Sequence, residues 1–484
     1  SFYLNNYHST NFSERSWKII IGPWLSRFIQ VIFDRYKILE YAFENYKISG
    51  ISYTEINLLD IVAFDYVDFG EATKTDKWNY LIYSFLYLNL FKFEKNQAQL
   101  NSFNIQNLDK EKKDLNSLEM SNISLNFRQN AKFLILSSFN LIATLLTKNN
   151  NNFFYQVYIT RKMDKVRLGY YLKDLPIYKR SLYRFYKNYL LHKFKISSRD
   201  KCFFEFDLDI TNNVENAINL LINKTMPISY LEGFSELSNI VKTKPLFHDN
   251  PKRIITSIGL WHDELFKIWV ANKIQSGSLL IGMQHGGDYG TSLFSLAEEH
   301  EIDVSDVWLN WGWKGNSDKI IKAPMLIDNR VKVNISSNQN DRKIVIICMP
   351  LIRHLTQVTP SHVTSSDLYY NDIKKISLEL MKNCKSFVIR LFPGDNERGD
   401  PISVRLANDF KDIQISSEDD FYKLTSSAKI VIHTYDGTTF LEDLVNNNPC
   451  MLLINPKITP LRESAKEFFD ELCNVGICHY SVES

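Results

Sequence analysis

The chain has 484 residues, enough for about two to four domains and more than one buried core. A composition of 44% hydrophobic and 23% charged residues excludes wholesale disorder and fibrous structure. Fifty-seven Lys and Arg against 55 Asp and Glu leave a net charge of +2, which removes the general electrostatic case for nucleic-acid binding.

The first ten residues carry no basic stretch followed by an apolar run, so no secretion signal is expected. Trp17–Tyr46 has the spacing of a long amphipathic helix, with Pro23 marking a break or first turn. The polar stretches 101–130 and 148–152 read as surface excursions. Between them, Phe133–Leu146 is apolar but shorter than a bilayer span and contains Ser and Asn, which predicts a buried helix.

Residues 161–201 hold thirteen Lys and Arg against three acids, interleaved with tyrosines. Such a segment suits the surface of an anionic membrane or a phosphate-bearing acceptor, and equally a solvated helical face. FDLDI at 206–210 has an Asp-x-Asp pair capable of holding a divalent metal, but the alternation of Phe206, Leu208 and Ile210 favours a half-buried strand. Residues 254–290 read as strand, helix, strand, ending in GMQHGGDYG.

The polar link 328–341 is the expected domain boundary, separating lobes 1–330 and 331–484. Beyond it, 342–350, 385–393, 413–417, 428–434 and 449–455 are short β-branched runs alternating with helical stretches at 368–382, 419–426 and 439–446. That alternation predicts a parallel sheet covered on both faces, with ligands outside the carboxyl ends of its strands. Six cysteines without a C-x-x-C pair read as free thiols of a reducing, cytoplasmic compartment.

Chemistry concentrates in two segments. In HTYDGTTFLEDL, 433–444, a strand runs into a glycine turn and a helix whose first residues are Thr438 and Thr439. Unpaired N–H groups and the helix dipole at such a start favour an anion, such as the phosphate of a nucleotide. Glu442, one turn on, is placed to accept from ribose hydroxyls. The simpler reading is an ordinary connection in which Asp436 and Thr438 cap the helix. Arg390 ends another strand, and the Pro-Gly turn at Gly394 follows it, so a guanidinium would join the same sheet edge.

In the first half, His285 stands between Gln284 and the pair Gly286 and Gly287. There it could take a proton from an acceptor hydroxyl, or serve as a structural hydrogen-bonder. Asp263, after His262, could reach the same cleft or cap a helix. No Walker loop, dinucleotide fingerprint, H-E-x-x-H, G-x-S-x-G or Cys/His cluster is present, so NTPase, dehydrogenase, zincin and hydrolase readings lack their usual support.

WKIIIGPWL (17–25), TDKWN (75–79), QHGGDYG (284–290) and HTYDGTTFLEDL with its following Asn-Pro together resemble a family of bacterial transferases encoded with surface-polysaccharide genes. A more distant likeness is to transferases that use CMP- or CDP-activated donors. The resemblance implies an α/β fold of GT-B type: two Rossmann-like lobes facing an interdomain cleft, the first enlarged by helical insertions.

It places His285 as the first-lobe catalytic group and implies a donor site of Arg390, Thr434, Asp436, Gly437, Thr438, Thr439 and Glu442, with His433 and Gly394 alongside. Asp263 would share catalysis, and Gln284, Gly286 and Gly287 would face the acceptor. The expected protein is a metal-independent, cofactor-free, cytoplasmic glycosyltransferase. It would move a sugar, such as a CMP-linked ulosonic acid, to a glycan or lipid-linked acceptor. Alternatives are a CDP-alditol phosphotransferase, a nucleotide-sugar epimerase and a non-catalytic glycan-assembly protein.

Overall fold

The computed structural model describes residues 1–54, 57–91, 99–102, 127–147, 149–159, 162–174, 181–191, 193–194, 196, 199, 213–325, 342–357, 366–383, 386–395, 399–416 and 421–484. The segments 206–210 and 328–341 lie outside these, as do 103–126 and parts of 161–201. The chain forms two compact units. The first is Ser1–Val157, Lys165–Gly282 and Asp303–Asp306; the second is Tyr158–Asp164, Met283–Ile302 and Val307–Ser484.

Unit 1 is mainly helical. Helix α1 (Glu14–Asn45) starts at Ser13, whose hydroxyl accepts from the Ser16 N–H at 3.1 Å. It buries Trp17, Ile20, Trp24, Phe28, Val31 and Ile32 along one stripe. Pro23 lies inside it without ending it. The expected break does not occur, because burial of that stripe outweighs the one backbone hydrogen bond that proline cannot make.

Helix α2 (Phe127–Leu146), strand β1 (Asn152–Tyr155), helices α3 (Lys162–Leu172) and α4 (Tyr183–Leu190), strand β2 (Arg253–Thr256), helix α5 (Glu264–Gln275) and strand β3 (Leu279–Met283) follow. Strands β1, β2 and β3 pair in parallel in that order. Asn152 therefore begins a buried strand rather than a surface excursion. The expectation of a buried helix over Phe133–Leu146 is corrected by half: Asn140 and Ala143 face inward, but the opposite face is large, apolar and exposed.

Unit 2 contains most of α6 (Leu296–Val304), then β4 (Val307–Asn310) paired in parallel with β5 (Ile320–Lys322). Next come β6 (Ile344–Ile347), α7 (Ser366–Asn383), β7 (Phe387–Arg390), β8 (Ile430–His433), α8 (Thr438–Val445), β9 (Cys450–Leu453), α9 (Glu463–Asn474) and β10 (Cys478–His479). Two parallel sheets of five strands, β1–β5 and β6–β10, give the chain its α/β character.

The second sheet runs β10-β9-β8-β6-β7. Ile346 enters one core with Tyr369 and Ile373 of α7, while Val345 and Ile347 enter another with Val388 and Val431. The β-branched runs are continuous because both faces of the sheet are covered. Of the run 413–417, the described residues 413–416 show a single bridge, Ile389 to Ile415, beside β7.

Candidate functional site

The order of the second sheet fixes where a ligand would go. From β6 the chain winds outward to β7, then returns to the other side of β6 and builds β8, β9 and β10. The carboxyl ends of β6 and β8 are therefore the point where winding reverses, and crevices open there in parallel sheets. The turn 434–437 leaves β8 at this point.

Thr434 is buried and cross-links the ends of these strands. Its hydroxyl donates to the Ile347 carbonyl at 2.8 Å and lies 2.5 Å from the Tyr369 hydroxyl. Gly437 then takes an extended conformation, and α8 begins at Thr438 with no side chain capping it. The capping role considered for Asp436 and Thr438 is thus not what the structure shows.

Behind the helix start lies a buried relay. His433 Nε2 is 2.8 Å from Asp443, whose other oxygen accepts from the Asn448 amide at 2.8 Å. With Nε2–H donating to that carboxylate, Nδ1 is left as acceptor and faces the Thr439 hydroxyl at 3.5 Å. His433 has no exposed surface, so it positions Thr439 rather than meeting a ligand itself.

Tyr435 is raised above the usual phenol range by burial, and opposed by a hydrogen bond to Thr439 and by the charge of Arg390. Arg390 ends β7, with β6 lying between it and β8. Its guanidinium carbon is 5.5 Å from the centre of the Phe421 ring. Gly394 follows in a left-handed turn, φ 75°. Glu442 is buried, and one of its oxygens accepts from Tyr158 at 3.2 Å and Tyr422 at 3.1 Å. Burial raises its carboxyl above the ordinary range.

The His285 loop belongs to the same compact unit. A Cβ on Gly287 would lie 2.4 Å from the Gly437 carbonyl carbon and 2.6 Å from the Thr438 nitrogen, so the loop backbone rests directly on the α8 entry. The Thr291 hydroxyl, 2.7 Å from Asp436 Oδ2, joins the two segments again. Burial raises Asp436 to about 6, with the Asp288 carboxylate adding to it and the Thr291 bond opposing.

His285 Nε2 is 2.8 Å from Glu301, and the Tyr289 hydroxyl lies 3.0 Å from the same nitrogen. Burial works against the charged ring. The Glu301 carboxylate and, more weakly, Asp288 outweigh it, so His285 sits above its ordinary value. An imidazole held this way presents Nδ1 as a base, as in other oriented histidine–carboxylate pairs.

Gln284 is buried. Its carbonyl accepts from Trp311 N–H and the Trp313 ring at 2.9 and 3.0 Å, and its amide donates to the Gly286 carbonyl at 2.8 Å, which shapes the loop. Gly286 lies against the Asp288 carboxylate. Asp263 belongs to unit 1, where it is buried as the cap of α5. It accepts from Phe266 N–H at 2.9 Å and from the Ser181 and Tyr155 hydroxyls. That is the capping alternative.

Sequence reasoning missed Glu301, Tyr289, Asp288, Thr291, Asp443 and Asn448. Glu298 and Glu301, three apart in α6, could have been read as one helical face turned to the loop: Glu298 takes a bidentate pair from Arg462 at 2.9 and 3.1 Å and accepts from Gly290 N–H. Among the described residues no group of three or more His, Cys, Asp and Glu is arranged to hold a metal.

Two solved structures are similar in part. UDP-N-acetylglucosamine 2-epimerase from Rickettsia bellii shares 12% identity at a TM-score of 0.32, over 66% of this chain and 81% of that one. UDP-GlcNAc 2-epimerase from Neisseria meningitidis, bound to UDP-GlcNAc, shares 14% at a TM-score of 0.32, over 50% and 71%. No curated protein matches the sequence. A family profile described as "LIC12162 family transferase" matches residues 1–484, and the chain belongs to that family of transferases.

Proposed function

We propose that the chain is a glycosyltransferase that binds the phosphate of a nucleotide-activated sugar at the start of α8 and passes the sugar to a hydroxyl of a glycan or lipid-linked acceptor. One observation carries this reading. The uncapped start of α8 stands at the winding reversal of the second sheet, with the backbone of the His285 loop laid against it.

In this reading the Thr438 and Thr439 N–H groups and the Thr438 hydroxyl hold the departing phosphate, and Arg390 adds a positive charge from the next loop of the same sheet edge. The Thr439 hydroxyl donates to His433 Nδ1, which leaves its lone pairs directed outward to donors on the ligand. His285 takes the acceptor proton at Nδ1, and Glu301 stabilises the imidazolium that results. The bond from the sugar to the phosphate oxygen breaks as the bond to the acceptor oxygen forms. A CMP-linked donor is favoured over UDP by the family likeness alone, and no metal is assigned a part.

A thermal-shift panel of CMP, CDP, UDP, GDP and their sugars tests the donor site, since a ligand of the folded form raises the melting temperature by mass action. At least one nucleotide should shift the wild type, and Thr438→Val with Thr439→Val should abolish that shift. A panel with no shift, or a shift that survives the double substitution, removes the reading. Turnover of a UDP-sugar without acceptor would assign an epimerase instead.

A further inference from the structure

Helix α2 turns a large apolar face outward. Leu134, Ile135, Phe139, Ile142, Leu145 and Leu146 are 46% to 68% exposed, at spacings that align them along three turns. This is not a helix facing the wrong way, because its inner face is already satisfied. Phe133 stacks near Phe185 and Tyr186 of α4 at 5.3 and 5.8 Å between centroids, and Ala143 is buried. Burying the outer face calls for an apolar medium other than the core.

Charge tells which medium. No Asp or Glu occurs in α2, and Lys132 is exposed at its N-terminal end. Helix α4, which packs on α2 through Phe185 and Tyr186, and helix α3 carry the residues of a lipid interface. On α4, Arg184 and Tyr189 are exposed, and Lys193 just beyond stands 4.2 Å over the Tyr189 ring. On α3, Arg167, Tyr170 and Tyr171 are exposed. Asp174 accepts from Asn151 and Asn152 N–H at 3.2 and 3.0 Å, which ties the end of α3 to the chain leaving α2.

Pairing this face with its own copy would bring like charges together. Anionic headgroups neutralise them while the apolar side chains enter the acyl region, and tyrosines suit the boundary between the two. Among the described residues no helix is long and apolar enough to cross a membrane, so α2 lies in the plane of the surface.

We infer that α2 docks unit 1 on an anionic bilayer, with its outward face buried among the acyl chains and the cations of α3 and α4 against the headgroups. The inference stands independently of the donor-site reading. The test is flotation of the full chain with vesicles of phosphatidylcholine alone and of phosphatidylcholine with equimolar phosphatidylglycerol.

The wild type should float with the mixed vesicles and release as salt rises. Ile135→Glu with Ile142→Glu should weaken partitioning by about a hundredfold. Its melting temperature should stay unchanged, because both positions are more than half exposed. Ile135→Leu with Ile142→Leu should float normally. Failure of the wild type to float with the mixed vesicles, or normal flotation of the Glu pair, overturns the inference. So does a lipid-free dimer that the Glu pair splits, which would assign the face to a second copy.

Discussion

Gly287 is packed against backbone of the second unit. A methyl group there would meet backbone at Gly437 and Thr438, which has no rotamer through which to yield. Gly287→Ala should cost about 1–3 kcal/mol of stability, read as a lower denaturant midpoint. Asp443 matters for a different reason: it is the shared partner of His433 and Asn448 in a site without water access. Asp443→Ala leaves both partners unsatisfied and should cost about 3 kcal/mol or more.

Asp436 gives the pH dependence a sign. Its folded carboxyl, at about 6, lies above the value of about 3.9 in the unfolded chain, so between those values the folded state holds a proton that the unfolded state has released. The stability this proton brings is complete below about pH 4, declines through pH 6, and is gone above it. The total is about 2–3 kcal/mol. Asp436→Asn should flatten that part of the stability curve and be more stable than the wild type at pH 7, as measured by denaturant midpoints across pH 4–8. A slope that persists unchanged would place the titration elsewhere.

At the scale of elements, sheet periodicity made the second half legible. Four of the five β-branched runs after 342 are strands, and the helices between them lie within a few residues of their expected bounds, because buried parallel strands must be continuously apolar. Of 413–417, the described residues 413–416 meet β7 only through the bridge at Ile415, so the run stops short of a strand. Pro23 misled in the opposite direction: a local breaker lost to an aromatic stripe that only tertiary packing rewards.

The strand-turn-helix at 433–445 was legible as a possible anion site. The identity of its supporters was not, because His433–Asp443 looks in sequence like two residues of a capped helix. Asp263 was over-read for the same reason, since a cap and a catalytic carboxylate have the same sequence signature. Substituting Arg390 by Lys tests the element-level argument: a bidentate contact to phosphate should weaken by about tenfold in a nucleotide titration, with folding unaffected.

For the molecule as a whole, a net charge of +2 hides a local division. Acids gather around the His285 loop, where Glu298 pairs with Arg462 and Glu301 with His285, and Asp288 and Asp436 stand beside them. Bases gather on the outer helices of unit 1. Composition averaged the two away: the basic cluster shows in the sequence of 161–201, while the acidic one is assembled by the fold. Lowering ionic strength should therefore strengthen vesicle binding of the full chain without changing the melting temperature, a pairing that bulk charge does not predict.

The contact between Gly287 and Gly437 spans some 150 positions of sequence. During synthesis the loop around His285 leaves the ribosome well before the turn it must rest upon, and it waits with its glycine face open to water. Closure of so long a chain loop is slow, so the second unit should mature late and be the part that depends most on chaperones. An excised fragment that begins at 331 would never acquire that partner at all, whereas one that carries 283–302 joined to it would hold both halves of the contact.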